Sequence, residues 1–181
     1  HTMYDPCCGS GTILIEGAMM AHNIAPGINR NFECDRWGFI PEKAWIQERE
    51  RCHDIIKTDT DFVAFGSDID FQALELTMAN AKRIKVDKFL RLETADIKDF
   101  NPTTEKGTLI TNPPYGQRML DVKTAKNIYH IMGEKFVSKH GWSYGIISPD
   151  EEFEREFGRK ADKRRKLYNG MIKCQYYMYF K

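Results

Sequence analysis

The stretch Thr2-Met-Tyr-Asp-Pro-Cys-Cys-Gly-Ser-Gly-Thr12 predicts a strand, a glycine loop and the start of a helix. The stretch that follows, 13–21, is apolar on nearly all sides, as expected of a buried helix. Gly9 and Gly11 would let the backbone approach a ligand closely, and the helix N-terminus would offer unpaired N–H groups to a carboxylate or a phosphate. This unit favours an α/β fold that binds its ligand at the carboxyl edge of a parallel sheet.

The sequence of the same loop also limits which ligands it could bind. The third glycine of the dinucleotide fingerprint is absent, with Leu14 in its place, which argues against NAD or FAD. Asp5 puts a carboxylate at the end of the predicted strand, which suits a cationic ligand carrying an ammonium or sulfonium group. Cys7 and Cys8 are interpreted as small buried side chains rather than a catalytic thiol, because no partner base is evident.

A second motif, Asn112-Pro113-Pro114-Tyr115, follows the β-branched run 107–111, which predicts a buried strand. The two prolines stiffen the chain and leave its carbonyl groups free to accept hydrogen bonds. If the side-chain oxygen of Asn112 and the carbonyl of Pro113 each accept one N–H of an exocyclic amine, the lone pair of that amine is freed to attack an electrophile while Tyr115 stacks on the base. A proline-rich turn that merely closes a strand is the alternative.

The composition fits one domain with a single core, since 41% of the 181 residues are hydrophobic. A formal net charge of +1 gives no global case for binding a polyanion, so any nucleic-acid contact must come from a local patch. The five cysteines lack metal-ligand spacing, so we expect reduced thiols, no metal and a cytoplasmic location. Without a secretory signal or an apolar run of transmembrane length, we also expect no membrane association.

Carboxylates also mark the ends of two further predicted strands. Phe62-Val-Ala-Phe65 predicts a strand that ends at Asp68, where a carboxylate could hold both ribose hydroxyls of a nucleoside; a turn residue is the alternative. Asp70 is predicted to cap the next helix. A strand over 89–93 leads to Asp96.

Three further segments carry predictions of their own. The segment 24–60 is interpreted as an insertion, in which Pro41 begins a helix through Lys57 whose apolar face we expect to be packed. The run 150–166 begins acidic and ends basic, which favours a helix; its basic end, 159–166, could contact phosphates or form a solvated helix end. Asn169-Gly170 predicts a terminal hairpin.

Taken together, the two main motifs resemble the class I S-adenosylmethionine-dependent methyltransferases. More narrowly, the chain resembles the THUMP-associated ribosomal RNA guanine-N2 methyltransferases, long labelled as N6-adenine DNA methylases. The similarity covers most of the chain, through Asp5 to Ala21, 25–27, 66–70, Asn112 to Gly116 and 166–170. It implies an α/β fold, namely a three-layer Rossmann-like methyltransferase sheet that is mostly parallel with a C-terminal antiparallel hairpin.

The resemblance implies S-adenosyl-L-methionine as the cofactor and RNA as the partner, with guanine N2 of ribosomal RNA as the target. A DNA adenine-N6 methyltransferase, a protein glutamine methyltransferase and a non-catalytic RNA-binding or nucleotide-binding module stay open as alternatives. Asp96 would bind the adenine amino group of the cofactor, although Asp99 is close by. The implied catalytic set is Asn112, Pro113, Pro114 and Tyr115; the implied cofactor set is Asp5, Cys7, Gly9, Ser10, Gly11, Thr12, Asp68, Ile69, Asp96, Ile97 and Asn112.

Members of this family carry a helix and an RNA-binding THUMP domain before the first strand. Neither precedes His1. We therefore expect residues 1–181 to be one methyltransferase domain from a longer chain, without its N-terminal RNA-binding domain.

Overall fold

The computed structural model describes residues 1–115 and 122–180, and the strands in these ranges form one seven-stranded sheet. The strands are β1 Thr2–Asp5, β2 Val63–Asp68, β3 Leu90–Thr94, β4 Gly107–Thr111, β5 Trp142–Ser148, β6 Lys163–Asn169 and β7 Ile172–Tyr179. Their order across the sheet is β3-β2-β1-β4-β5-β7-β6. Neighbours among the first five are parallel, whereas β7 is antiparallel to both β5 and β6. The predicted sheet, with its antiparallel C-terminal pair, is confirmed.

Helices cover both faces of the sheet, as the three-layer prediction requires. They are α1 Thr12–Ala21, α2 Glu42–Asp54, α3 Phe71–Ile84, α4 Val122–Lys135 and α5 Phe153–Phe157. Because successive side chains of a strand point to opposite faces, Met3 packs into the core formed with α1 and α3, while Tyr4 packs into the core formed with α4 and α5. None of the helices in the described ranges has the length and apolarity needed to cross a membrane.

The topology gathers the predicted site residues at one edge. Since β1, β2 and β4 are parallel, their carboxyl ends at Asp5, Asp68 and Thr111 lie at the same edge of the sheet. β6 is antiparallel to β7, which is antiparallel to β5, so β6 also ends at this edge, with Asn169. We call this the carboxyl edge.

The predicted start of α3 is confirmed. Asp70 precedes the helix in an extended conformation, and its Oδ1 accepts a hydrogen bond from the backbone N–H of Gln72 at 2.9 Å. Satisfying one of the first backbone donors in this way stabilises a helix by about 1 kcal/mol. The cap fixes where α3 begins relative to the carboxyl edge.

The predicted helix over 150–166 is wrong beyond its first part. Phe153 and Phe157 are buried as expected, but α5 ends at Gly158, whose φ is +77°. From Lys163 the chain pairs with β7 along the whole of β6. Pairing with β7, the other strand of the C-terminal hairpin, therefore outweighs the local order of charges, and four of the six basic residues between 159 and 166 lie on an edge strand rather than at a helix end.

The predicted packing of α2 is confirmed only in part. The helix begins after Pro41 as expected and ends at Asp54, but it contains no fully buried residue, and Ile46 is 50% exposed. Four residues of the predicted face are half-buried: Trp45, Arg49, Cys52 and Ile56. Polar contacts add to this packing, since Arg49 Nη2 lies 2.6 Å from Asp35 Oδ2 and Nη1 donates to the carbonyl of Arg30 at 2.9 Å. The apolar spacing of the sequence thus marks a partly packed stripe rather than a face of the core.

The C-terminal hairpin is confirmed, although its turn is shifted by one residue. Asn169 still pairs with Ile172, so the two loop residues are Gly170 and Met171. Gly170 has a φ of +63°, which suits glycine at the first central position of such a turn. The shift leaves Asn169 as the last residue of β6.

Candidate active site

The glycine loop is held in place by side chains of α3. Thr77 Oγ1 donates to the carbonyl of Gly9 at 2.6 Å, and Asn80 Nδ2 donates to the carbonyl of Ser10 at 3.1 Å. These two residues are three apart on the helix, so they lie on one face. The loop therefore has a fixed conformation that depends on a helix almost seventy residues away in sequence.

Gly9 and Gly11 serve different purposes in this loop. Both have positive φ, at +52° and +78°. A Cβ at Gly11 would lie 2.4 Å from Thr77 Cγ2, so the absence of a side chain permits the close approach of loop and helix. A Cβ at Gly9 would meet no heavy atom of the described residues within 4 Å. The loop thus packs against α3 at Gly11 and leaves open space at Gly9.

Asp68 connects the end of β2 to the glycine loop. Its Oδ2 accepts from the backbone N–H of Gly9 at 2.9 Å, and its Oδ1 accepts from the N–H of Asp70 at 3.0 Å. The side chain is only partly buried, and the neighbouring Ile69 is 73% exposed. Because Asp70 is committed to capping α3, Asp68 is the carboxylate that faces the loop.

Asp5 is a buried carboxyl that joins the two motifs. It is 1% exposed, and its Oδ1 accepts from Thr111 Oγ1 at 2.7 Å and from the N–H of Cys7 at 3.2 Å. Burial raises the pKa of Asp5 to about 7. A groove of about 230 Å³ reaches this residue between the ends of β1 to β3 and the segment 100–103. Asp5 therefore titrates near neutral pH at the point where β1 and β4 meet.

The two cysteines of the loop are not nucleophiles at neutral pH. Burial raises the pKa of the Cys7 thiol strongly and that of Cys8 to about 12. A thiol is reactive as its thiolate, so both stay in the unreactive form. This agrees with their interpretation as packing residues. All five cysteines of the chain are free.

Asp96 lies where β3 gives way to a short 3₁₀ turn, Ile97–Asp99. Its Oδ1 accepts from the N–H of Lys98 at 3.0 Å, and this backbone hydrogen bond lowers the pKa of the carboxyl. Its side chain is 39% exposed, so it remains accessible. Ile97 is buried in the core, whereas Asp99 is exposed and is not the residue that opens the turn.

Asn112 carries an unusual polar atom. Its Oδ1 is buried and has no hydrogen-bond partner among the described residues, a property shared there by three other atoms: Asp35 Oδ1, Trp45 Nε1 and Arg159 Nε. A buried acceptor without a partner costs about 1–3 kcal/mol, so such atoms are rare and call for an explanation. Asn112 follows Thr111 directly, and Thr111 is bonded to Asp5. The arrangement leaves one fixed acceptor at the carboxyl edge that a ligand N–H could satisfy.

The rest of this motif is held by the C-terminal hairpin. Asn169 Nδ2 donates to the hydroxyl of Tyr115 at 2.8 Å, and Tyr115 is 8% exposed. The ring thus offers little surface to a base in this arrangement, and its stacking role stays a prediction. Pro113 is buried and Pro114 partly so. Gly116, included in the sequence similarity, lies outside the described residues.

Sequence reasoning missed several residues that shape this site: Thr77, Asn80, Thr111 and Asn169. Weak signals for some of them exist. Thr77 carries a hydroxyl at the spacing of the buried face of α3, and Asn169 lies in the stretch 166–170 that contributed to the family resemblance. The described residues contain no group of three or more His, Cys, Asp or Glu side chains placed to hold a metal ion.

Comparison with known proteins identifies the family. The model of the family described as RMKL-like, methyltransferase domain, matches residues 1–178. This chain belongs to that family. Membership in the RMKL-like family agrees with the resemblance found in the sequence and with the fold.

Two relatives of known name match nearly the whole chain. YpsC of Bacillus subtilis, provisionally named an RNA methyltransferase, is 38% identical over 97% of this chain. A ribosomal RNA large subunit methyltransferase K/L of Shewanella amazonensis is 37% identical over 98% of it. The chain spans about half the length of YpsC (46%) and about a quarter of the Shewanella protein (26%).

Solved structures show the same fold. SMU.472, crystallised with SAH, has a TM-score of 0.93 at 39% identity, and the match covers 99% of this chain and 48% of that protein. A Listeria monocytogenes protein described as a predicted N6-adenine-specific DNA methylase has a TM-score of 0.89 at 34% identity, over 99% of this chain and 46% of that protein. The RMKL-like chain therefore has the Rossmann-like methyltransferase fold.

Proposed function

We propose that this domain transfers a methyl group from S-adenosyl-L-methionine to an exocyclic amino group of a base in RNA, namely N2 of guanine in ribosomal RNA. The observation that carries the proposal is the buried Oδ1 of Asn112, which has no partner within residues 1–115 and 122–180 and lies next to the carbonyl of Pro113, in a methyltransferase fold. These are two hydrogen-bond acceptors for the two hydrogens of an NH2 group.

S-adenosyl-L-methionine is the cofactor of this domain, as its family and the SAH in SMU.472 indicate. The cofactor supplies a methyl group on a sulfonium that is already an activated leaving group. The residues present fit it: Gly9 leaves open space beside the loop, and the partly exposed carboxylates of Asp68 and Asp96 lie at strand ends. A carboxylate accepts from two ribose hydroxyls or from an adenine amine.

Asn112 and Pro113 would act on the target amine. Accepting both N–H hydrogens holds the nitrogen with its lone pair directed outward, and it stabilises the positive charge that develops on the nitrogen during attack. Burial strengthens this effect, because the oxygen of Asn112 needs no reorganisation and is not screened by water. The target base has to leave its stack to reach these acceptors.

The names of the relatives bear on the choice of substrate. YpsC and the Shewanella protein are named as methyltransferases of RNA, which supports RNA, whereas the description of the Listeria protein favours adenine N6 in DNA. DNA is therefore the second candidate. A protein glutamine also presents a planar NH2 group, and binding without catalysis is the remaining alternative.

Transfer of a radiolabelled methyl group tests the proposal directly. The domain would be incubated with labelled S-adenosyl-L-methionine and separately with ribosomal RNA, DNA and protein, and the product nucleosides identified by mass spectrometry. We expect N2-methylguanosine in the RNA arm. N6-methyladenine in DNA or a labelled glutamine would assign the function to a rival enzyme class, and cofactor binding without transfer to any arm would leave a binding module.

A further inference from the structure

β6 and the short segment before it carry a strong excess of positive charge. Between 159 and 168 there are six basic residues and one acidic residue, hence five net positive charges, in a chain whose total is +1. The acidic residue, Asp162, accepts a hydrogen bond from the N–H of Phe180 through its Oδ2. The remainder of the chain is thus net negative, and the excess positive charge is concentrated here.

Two of the six basic side chains are occupied within the fold. Arg159 donates to the carbonyl of Phe136 and lies over the ring of Tyr179 at 4.7 Å. Arg164 pairs with Glu154 at 2.5 Å. The other four are exposed and form no ion pair with any residue in 1–115 or 122–180; they are Lys160, Lys163, Arg165 and Lys166.

The strand leads these charges toward the candidate active site. From Lys163 to Asn169, β6 spans about 20 Å at the usual rise of a strand. It lies at one margin of the sheet and ends at the carboxyl edge, where Asn169 holds the hydroxyl of Tyr115. Alternate side chains of a strand lie about 7 Å apart on one face, a spacing comparable with that of successive phosphates in an extended nucleic-acid strand.

An exposed aromatic ring lies at the end nearest the site. Tyr168 is 59% exposed, and the Nζ of Lys166 lies 5.4 Å from its ring centroid. Positive grooves combined with exposed aromatic rings are typical of surfaces that bind single-stranded nucleic acid, because the rings stack on bases and the cations contact phosphates.

Protection of an open sheet margin explains part of this pattern. Lysine on an edge strand prevents pairing with other chains. That role requires neither a large exposed aromatic ring nor a strand directed toward Tyr115. Lys163 and Arg165 project from one face of β6 and Tyr168 from the other, and both rows border the open margin of the sheet. We propose that this margin binds the backbone of the RNA strand that carries the target base, with Lys163 and Arg165 on phosphates along one side and Tyr168 stacked on a base along the other, beside the site. This rests on the proposed function for the choice of RNA.

The test measures RNA binding without cofactor, so it does not depend on catalysis. The probe is a fluorescent single-stranded RNA of about 12 nucleotides, titrated at several salt concentrations. The double variant Lys163→Gln/Arg165→Gln is compared with Lys82→Gln/Arg83→Gln. The control removes the same two charges from the exposed last turn of α3, at the end of the helix away from the carboxyl edge.

We expect the β6 variant to bind RNA about tenfold more weakly near 0.1 M salt, with a salt slope lower by about 1.4, because each phosphate contact in a single strand contributes about 0.7. The control should keep the slope of the unmodified protein. Tyr168→Ala should lower affinity without changing the slope, and Tyr168→Phe should restore it, because phenylalanine keeps the stacking surface.

Equal slopes for the two double variants, or no RNA binding by the unmodified protein even at low salt, would overturn the inference. The inference would also be overturned if the β6 double variant weakened binding to anionic lipid vesicles but left binding to RNA unchanged. The outcome of this test can be distinguished from that of the proposed function. If the domain methylates RNA but the two double variants have equal salt slopes, only this inference fails. If the salt slopes are as expected but only DNA is methylated, only the choice of RNA as substrate fails.

Discussion

The glycine loop and the loop 112–115 lie at the same edge of the sheet, yet their polar groups are satisfied to different degrees. In the glycine loop, the carbonyl of Gly9 accepts from Thr77, its N–H donates to Asp68, and the carbonyl of Ser10 accepts from Asn80. In the other loop, a buried acceptor of Asn112 has no partner in the part of the chain that the structure describes. The glycine loop thus has partners within the protein for these backbone groups, whereas the loop 112–115 retains an acceptor that a ligand could satisfy.

The difference predicts how the protein would bind its two ligands, the cofactor and the target amine. The glycine loop is already fixed by hydrogen bonds to α3 and to Asp68, so it would lose little conformational freedom when a cofactor binds. Cofactor affinity would therefore depend on this preorganisation. An unpartnered buried acceptor costs stability in the free protein and regains it when an N–H arrives. The comparison predicts that damage to the first loop changes cofactor affinity, whereas damage to the second changes the rate.

The largest expected effect is that of Asn112→Ala. Losing one preorganised polar contact to a transition state typically lowers kcat by about a hundredfold or more. Cofactor affinity should hardly change, and thermal stability should not fall, because the variant removes an unsatisfied group. Single-turnover methyl transfer, calorimetry with S-adenosylhomocysteine and thermal melts measure the three quantities.

Asn80→Ala is the matched control, since it makes the same change in the support of the glycine loop. It should weaken cofactor binding by about 0.5–1.5 kcal/mol and leave kcat at saturating cofactor nearly unaltered. If both variants lower rate and affinity together, the contrast between the two loops does not exist.

Next in size is Asp68→Ala. Hydrogen bonds to a charged acceptor are worth about 1.5–3 kcal/mol, so cofactor affinity should fall by roughly 10- to 150-fold. Asp70→Ala is its control: it removes the cap of α3, which should lower the free energy of unfolding by about 1 kcal/mol and spare cofactor affinity. The reverse outcome in calorimetry would mean that Asp70 holds the ribose.

A smaller effect concerns pH. The pKa of Asp5 is raised to about 7, so below that pH the carboxyl is neutral and attracts a cationic ligand less. If the cofactor's ammonium or sulfonium favours the charged form, its affinity should rise about tenfold from pH 6 to pH 8. Asp5→Asn should abolish this rise. A flat profile for the unmodified protein would show that Asp5 does not face the cationic part of the cofactor.

The same group has an effect of opposite sign on stability. The folded state holds its proton on Asp5 up to about pH 7, while the unfolded chain releases it near the usual carboxyl value of 3.8. Folding is therefore favoured at the acid end of this range, and this contribution to the free energy of unfolding is lost as pH rises from about 4 to 7. Thermal melts of Asp5→Asn should lack this decline.

The smallest expected effect is that of Asn169→Ala, which removes a neutral hydrogen bond to Tyr115. A loss of about 0.5–1.5 kcal/mol corresponds to a decrease in kcat of roughly 2- to 13-fold, with little change in cofactor affinity. Tyr115→Phe removes the same bond from the other side, so the double variant should be no slower than either single one. Additive losses would show that the two residues act separately.

The fold could be predicted in large part because its signals are local. Gly9, Gly11 and the Asp70 cap act within a few residues, and the turn at Asn169-Gly170 was displaced by a single position. The helix predicted through Lys166 failed because the hairpin predicted at Asn169-Gly170 extends back to Lys163, and the order of charges in this run does not show where the helix gives way to the strand.

The candidate site was less accessible to sequence reasoning, for a related reason. The motifs supply Asp5, Asp68 and Asn112, but the bonds that fix them join distant residues. Thr111 reaches Asp5 across 106 positions, and Asn169 reaches Tyr115 across 54. Such contacts follow from the strand order, which brings the ends of β1, β4 and β6 to one edge only after the sheet has formed.

The strand order also bears on how the protein is made. β7 follows β5 and β6 in the chain, but it lies between them in the sheet. While the ribosome is still producing 172–179, β5 has an open side and β6 has no neighbour, and unpaired strand edges of this kind promote aggregation. The sheet can therefore close only after β7 has been synthesised, and until then the nascent chain exposes unpaired edges on both strands.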